Sequence, residues 1–495
     1  MKTLAELIID MSIDEYELLQ GDISCPIESV AYDSRKAGPG SLFICIPGAV
    51  SDGHDYIPQV LEAGTTALVT SHDTDDLIPN NVTVLRVKDP RHALAMIAAA
   101  WFEYPAERLI TIGITGTKGK TTTTYMIRDI LEDAQIPCGL IGTIEIICGG
   151  EHIPAKNTTP ESWIVQEYFA KMADAGLKAV VMEVSSQALK MSRVDGIMFD
   201  YGIFTNLEKD HIGENEHPDM EDYIACKSRL FRQCRTGIFN ADADYLDGIL
   251  AGHTCRVLTY GIENPADYRA GNIEPVHDQG FPGVEYDLTV REDVPVHVTV
   301  DIPGDFTVYN SLAAAALCRC MGIEDADILA ALEKVRVKGR MEIVPTPGEY
   351  VLMIDYAHNA MALEALLKNL RSYAKGRLIC CFGCGGNRSK DRRYEMGEVS
   401  SRLADLSVVT SDNPRFEEPA DIIADILVGV KKGGGEYIMI EDRKEAIRWC
   451  MKNGRKGDLI VLAGKGHEDY QEIRGVKYPM DERVLVREII EEEGM

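Results

Sequence analysis

The sequence predicts an α/β chain of three domains, and three observations carry that expectation. Its 495 residues exceed one ordinary core at about 150 residues per domain. Short apolar, β-branched runs alternate with helical stretches, the pattern of mostly parallel sheets with helices on both faces. Glycine-rich or charged loops follow several of those runs, where open α/β sheets bind ligands. The domain limits are read as 1–104, 105–344 and 345–495.

In the first domain, residues 41–46 and 66–70 read as buried strands. Residues 89–104 place Ala93, Met96, Ile97, Ala100 and Trp101 at helical spacing, and Pro105 marks a boundary. The second domain opens with a strand at 108–114, a glycine loop and a helix at 123–134. Strands are expected at 178–184 and 201–205. Residues 256–301, rich in β-branched residues and turn signals, read as an antiparallel extension, and 310–321 as an alanine-rich helix. The third domain has strands at 350–354, 377–382, 406–410 and 458–462. Three of them precede the loops Asp355-Tyr356-Ala357-His358-Asn359, Ser411-Asp412-Asn413-Pro414-Arg415 and Gly464-Lys465-Gly466-His467-Glu468.

Composition excludes some classes of function. A net charge of −28, from 79 acidic and 51 basic residues, repels nucleic acid and anionic membranes. A phosphorylated ligand therefore needs a local positive site. The 13 cysteines show no disulfide framework, which fits a reducing cytoplasm. The N-terminus lacks the basic start and apolar core of a signal peptide. The longest apolar run, 93–102, is far short of the roughly 20 residues of a membrane helix. A cytoplasmic, monomeric protein acting on small molecules is expected.

The loop after the 108–114 strand reads Gly116-Thr117-Lys118-Gly119-Lys120-Thr121-Thr122. Glycines let backbone amides approach phosphate oxygens, and the following helix offers its positive end. Lys120 is placed to neutralise β- and γ-phosphate charge, and Thr121 to ligate magnesium. The spacing is a shortened form of the general ATP-loop pattern, with Ile114 where the first glycine is expected. Glu183, at a strand end, is a second magnesium candidate. His211 and Lys227 carry no signal in their spacing, and Lys227 reads as a surface helix lysine. Cys380, Cys381 and Cys384 have no second pair at zinc spacing, so a structural role is favoured over a metal or redox one. The third-domain set of Arg388, Arg392, Arg393, Asp412, Asn413, Arg415, Lys465, His467 and Glu468 mixes both signs, which suits a zwitterionic ligand.

These motifs resemble, in content and in order, those of the Mur ligase family. Asp33-Ser34-Arg35, the glycine loop, Asn157-Thr158-Thr159-Pro160, Glu183-Val184-Ser185-Ser186, Asp210-His211, Lys227, Tyr309-Asn310, Gly339-Arg340-Met341-Glu342 and the three loops of the third domain carry the resemblance over nearly the whole chain. It implies an N-terminal α/β domain holding a UDP-sugar, a central P-loop-type ATPase and a Rossmann-like C-terminal domain that binds an amino acid. It also implies the reaction: a carboxylate of UDP-N-acetylmuramoyl-dipeptide is phosphorylated by ATP, and the amine of an amino acid displaces the phosphate.

Carried over by residue, the resemblance assigns Gly116, Thr117, Lys118, Gly119, Lys120, Thr121, Thr122, Asn310, Arg340 and Asp355 to ATP. It assigns Thr121, Glu183, His211 and a carbamylated Lys227 (N6-carboxylysine) to magnesium. Lys120, Lys227, His211 and Glu183 form its catalytic set. Ser34, Asn157, Thr158, Thr159, Ser185 and Arg193 would hold the UDP-sugar-peptide. Lys118, Gln187, Met191 and the pair Ala360-Met361 depart from the family's usual residues.

Asp412-Asn413-Pro414-Arg415 resembles the form found where meso-diaminopimelate is added. Arg415 with Arg393 would grip its distal carboxylate, while Glu468 with Asp412 pairs the ammonium, beside Asn413, Pro414 and Gly464. Lysine addition, a sister ligase and a non-catalytic partner protein are the alternative readings.

Overall fold

The computed structural model describes residues 1–48, 51–73, 78–210, 212–213, 216–278, 281–291 and 293–495, with the side chains of 277, 278 and 281 left aside. Backbone contacts divide them into two compact units, Met1–Thr259 and Tyr260–Met495.

The first unit begins with a five-stranded sheet ordered Tyr16–Gln20, Thr83–Val87, Ala67–Thr70, Ser41–Ile44, Ser29–Ala31. All neighbours are parallel except the first pair. Side chains alternate across the sheet. Leu42, Ile44, Val69 and Leu85 pack on one face with Ala93, Leu94 and Ile97 of the helix Pro90–Trp101. Phe43, Leu68 and Val84 pack on the other. Asp89 caps that helix, accepting from the amides of Arg91 and His92 at 2.8 and 3.2 Å, and Pro90 stands at its first position, where no amide is needed.

Seven further strands run in the order Glu151–Pro154, Glu145–Cys148, Cys138–Ile141, Ala179–Glu183, Ile110–Thr115, Phe199–Phe204, Cys234–Asn240. The last five are parallel. Register places Glu183 opposite Ile114 and Phe204 opposite Thr115, so three chain exits leave one edge of the sheet together. The helix after the glycine loop spans Lys120–Asp133. It starts three residues earlier than the apolar pattern predicts, because Gly119, at φ +84°, turns the chain directly into it.

Of the antiparallel extension expected over 256–301, Tyr268–Asp278, Phe281–Val290 and Val296–Val300 form an antiparallel ribbon in the second unit, whereas the strand Arg256–Gly261 pairs parallel with the first of them, at Tyr260 with Tyr268 and Gly261 with Arg269. The helix Asp305–Cys320 follows, with Ala313, Ala314, Ala315 and Ala316 fully buried. A six-stranded sheet then runs Glu342–Val344, Val351–Asp355, Leu459–Ala463, Leu378–Phe382, Leu406–Val409, Tyr437–Met439, parallel but for its first strand. Met353, Cys380 and Phe382 face one helical layer, Leu352, Ile379 and Cys381 the other. A hairpin, Tyr470–Ile473 with Val476–Pro479, follows the last inserted strand. Among the described residues no helix is long and apolar enough to cross a membrane.

Candidate active site

The glycine loop is sewn to the exit of the neighbouring strand. Thr117 N donates to Asn206 O at 2.9 Å, Lys118 N to Asn206 Oδ1 at 2.9 Å, and Thr205 Oγ1 to Lys118 O at 2.7 Å. Gly116 sits at φ +152°, and a Cβ there would lie 1.9 Å from Thr205 Oγ1; only glycine permits this approach. Lys120 Nζ donates to the carbonyls of Gly116 and Thr117 at 2.8 and 3.0 Å. Lys118 forms an ion pair with Glu208 at 2.6 Å.

Lys227 is not the surface lysine that its helix composition predicts. It is 1% exposed, and its Nζ reaches Gly116 O at 2.8 Å. The Nζ also lies 4.7 Å from the Tyr223 ring centroid. Burial first, and the Lys120 charge second, push the Lys227 amine well below its ordinary value. The structure therefore holds a buried lysine, its charged form disfavoured, beside the glycine loop. His211 lies outside the described residues.

Glu183 is 1% exposed. Its Oε1 accepts from Thr121 Oγ1 at 3.0 Å and from Thr143 N at 2.8 Å, and its Oε2 from Thr143 Oγ1 at 3.0 Å. Among the described residues no basic side chain forms an ion pair with it. A buried carboxylate without a cation, beside a threonine hydroxyl, is a hard oxygen donor set of the kind magnesium takes. Thr143 is not among the residues that the motifs mark. Its only signal is the Gly142-Thr143 turn after a buried strand, and a Cβ at Gly142 would stand 2.7 Å from Glu183 Oε1.

Four of the UDP-sugar-peptide candidates gather at this edge. Thr158 and Thr143 hydroxyls are 3.0 Å apart. Thr159 Oγ1 donates to Glu183 O at 2.8 Å and accepts from Ser185 N at 3.1 Å. Ser185 Oγ caps its helix by accepting from Ala188 N at 3.1 Å. Arg193 donates to Thr159 O at 3.0 Å and pairs with Glu161 at 2.7 Å. Asn157 is exposed beside them. Ser34 lies instead in a short 3-10 helix, Ser34–Lys36, capped by Asp33 just after the strand Ser29–Ala31 of the first sheet; among the described residues no hydrogen bond joins it to the others. The sequence also gave no warning of His217, which is fully buried between Ser186 Oγ at 2.8 Å and Asp222 Oδ2 at 2.7 Å.

In the second unit, Arg340 lies over the Tyr356 ring, 4.8 Å from its centroid, and Asp355 accepts from the amides of Met341 and Ala357 at 2.9 and 2.8 Å. Burial raises the Asp355 carboxyl against the pull of Arg340. Burial, with the Arg340 charge behind it, lowers His467 to about 3, so this imidazole is neutral at physiological pH. Among the described residues, Arg340 Nε and His467 Nδ1 are buried with no hydrogen-bond partner. Asn310 is buried on the helix Asp305–Cys320.

The amino-acid candidates divide. Asn413 donates to Glu468 Oε2 at 2.9 Å. The fully buried Lys465 reaches Asn413 Oδ1 and Glu468 Oε2 at 3.0 and 2.9 Å. A Cβ at Gly464 would come 3.1 Å from Asp412 Oδ2. Pro414 is buried, and its carbonyl would meet a Cβ at Gly386 within 1.9 Å. Arg415, at φ +52°, donates from Nη1 to Gly386 O at 2.7 Å and from Nε to Glu472 at 3.2 Å. Arg393 does not join this group. It is 1% exposed and is taken up by Glu417 and Asp425 at 2.7 and 2.9 Å, the first in the loop before the helix Pro419–Gly433 and the second on that helix. Arg388 remains exposed on the preceding loop. Cys380 and Cys384 are buried, their thiols pushed up to about 12 by burial, which fits the structural role.

Comparison with known proteins decides the family. The Mur ligase middle domain matches residues 114–318, the Mur ligase, glutamate ligase domain matches 339–466, and the Mur ligase family, catalytic domain matches 26–102. A UDP-N-acetylmuramoyl-L-alanyl-D-glutamate–2,6-diaminopimelate ligase of Caldanaerobacter subterraneus is 42% identical over 96% of this chain and 97% of its own length. The chain belongs to the Mur ligase family. A Clostridium acetobutylicum ligase of the same name is also 42% identical, over 97% of this chain and 98% of its own. A solved structure of a UDP-N-acetylmuramoyl-L-alanyl-D-glutamate–2,6-diaminopimelate ligase superposes with TM-score 0.72 at 27% identity, covering 100% and 99% of the two chains. MurF from Acinetobacter baumannii shares the Mur ligase fold at TM-score 0.61 and 18% identity, over 99% and 98% of the chains.

Proposed function

We propose that this Mur ligase joins meso-diaminopimelate to the D-glutamate γ-carboxylate of UDP-N-acetylmuramoyl-L-alanyl-D-glutamate, at the expense of ATP, in building peptidoglycan precursor. Arg415 carries the choice of amino acid. It is held by protein groups at two of its nitrogens, beside the Asn413–Glu468–Lys465 cluster. A distal carboxylate takes the nitrogen that those groups leave over; lysine offers it none and brings a second positive charge, which costs a large factor in selectivity.

A carboxylate and an amine do not condense unaided in water. In the proposed sequence the γ-carboxylate attacks the terminal phosphate of ATP, ADP leaves, and the amine displaces phosphate from the acyl phosphate. The glycine-loop amides, the start of the helix Lys120–Asp133 and the Lys120 ammonium hold the phosphates and offset their charge. Thr121, Glu183, His211 and the carbamate of Lys227 would hold magnesium, which supplies further charge neutralisation at the phosphoryl group. The deprotonation favoured at Lys227 supports the carbamate, since only a neutral amine takes up CO2. Asn310, Arg340 and Asp355 keep their assignment to the nucleotide, and Ser34, Asn157, Thr158, Thr159, Ser185 and Arg193 theirs to the sugar-peptide.

The reading retains three domains, 1–104, 105–344 and 345–495, the second P-loop-type and the third Rossmann-like; the parallel sheets and the three separate family matches support it. A reducing cytoplasm suits 13 free cysteines. The test is ADP release by the purified protein with ATP, magnesium, the UDP-dipeptide and a panel of meso-diaminopimelate, L-lysine and L-ornithine. Diaminopimelate is expected to exceed lysine in kcat/KM by about 100-fold. Equal turnover of lysine would sink the assignment.

A further inference from the structure

Arg415 is paired with a carboxylate that the sequence reading did not include. Its Nε donates to Glu472 Oε2 at 3.2 Å, and the two side chains are 23% and 25% exposed. Glu472 sits on the hairpin strand Tyr470–Ile473. That strand is bound to the Asp-Asn-Pro-Arg loop by its backbone. Arg415 N donates to Glu472 O at 3.0 Å, Arg474 N to Arg415 O at 2.6 Å, and Glu472 N to Asn413 Oδ1 at 2.9 Å.

The two nearby glutamates differ in how their charge is met. Glu468 is compensated by the buried Lys465. Glu472 has Arg415 as its ion-pair partner among the described residues. Any ligand group that Arg415 holds therefore lies within a few ångströms of the Glu472 carboxylate. The Arg415 Nη2 makes no hydrogen bond among the described residues and is left for that ligand.

We infer that Glu472 is a specificity-determining residue that tempers the preference of Arg415 for a zwitterionic side-chain end over a purely cationic one. The inference rests on the proposed diaminopimelate reading. The distal end of diaminopimelate is neutral overall and presents a carboxylate to Arg415, whereas that of lysine carries +1. A negative charge beside Arg415 weakens the grip on the carboxylate and relieves the repulsion of the lysine ammonium. Bracing is not what Glu472 supplies, since the guanidinium is also fixed by the Gly386 carbonyl and the backbone bonds hold the loop whatever the charge at 472.

Glu472→Gln removes the charge and keeps an oxygen that can accept from Nε. For this variant the KM for meso-diaminopimelate should fall about threefold, and the inhibition constant of L-lysine against diaminopimelate addition should rise about threefold. Together these raise discrimination by about tenfold, the effect of one partly screened charge. Glu472→Asp should stay nearer the wild type in both. A rise in the diaminopimelate KM of Glu472→Gln would reduce Glu472 to a brace and overturn the inference, as would two unchanged constants or lysine inhibition unaltered up to its solubility. Failure of the wild type to use diaminopimelate would instead refute the reading beneath it.

Discussion

Lys227 Nζ donates to the Gly116 carbonyl at 2.8 Å, and Lys120 Nζ donates to the same oxygen at 2.8 Å. Two ammonium groups on one carbonyl repel, and burial with the Lys120 charge lowers the Lys227 amine well below its ordinary value. Converting that amine to a carbamate replaces the repulsion by attraction to Lys120. Enzyme stripped of CO2 is thus expected to lose most of its activity and to regain it with bicarbonate at constant pH. Lys227→Ala should lower kcat by about 1,000-fold and respond to no bicarbonate. A wild type indifferent to CO2 removal would exclude the carbamate.

Glu183 accepts three hydrogen bonds from Thr121 and Thr143, and Glu183→Gln retains most of that geometry while removing the charge. Folding should be little changed. The magnesium concentration for half-maximal ADP release should rise at least tenfold, with kcat/KM down by about 100-fold. A magnesium titration showing an unmoved midpoint would separate Glu183 from the metal.

What was legible in the sequence was local. The glycine loop and the buried strands are written in neighbouring residues. The burial of Lys227 is not, because the groups around it come from the glycine loop, 111 residues away in sequence. Arg393 reads as an exposed charge until the sheet brings Glu417 and Asp425 to it, 24 and 32 positions on. Thr143 and Glu472 were missed for the same reason: each acts through a partner on another strand exit, and no period or spacing records which exits meet. The antiparallel ribbon was legible as a class, since turn residues between β-branched runs specify hairpins.

Arg443 and Glu482 form an ion pair at 2.8 Å, exposed by only 1% and 0%. The same guanidinium donates to Ser411 O and Ala463 O at 3.2 and 3.0 Å, fixing the points where two ligand loops leave the sheet. Arg443→Met leaves a buried carboxylate unpaired and should destabilise the fold by about 3–5 kcal/mol. Adding Glu482→Met should recover a large part of that loss in chemical unfolding, although the two carbonyls stay unmet. A single variant as stable as the wild type would show that the pair contributes nothing.

His467 gives a pH dependence with a definite sign. Its folded value, about 3, lies below the roughly 6.5 of an unfolded histidine. Between those values the unfolded chain binds the extra proton, so stability contributed here is present above pH 6.5 and is lost as pH falls. The loss approaches about 1.4 kcal/mol per pH unit for one proton. His467→Gln removes the titration, so its unfolding free energy should fall less steeply than that of the wild type between pH 7 and 4.5, by up to one proton. Urea unfolding at half-unit steps measures both slopes. Parallel slopes would mean that His467 is already protonated in the folded chain, contrary to its burial beneath Tyr356, whose ring centroid lies 4.7 Å away, and to the nearby charge of Arg340.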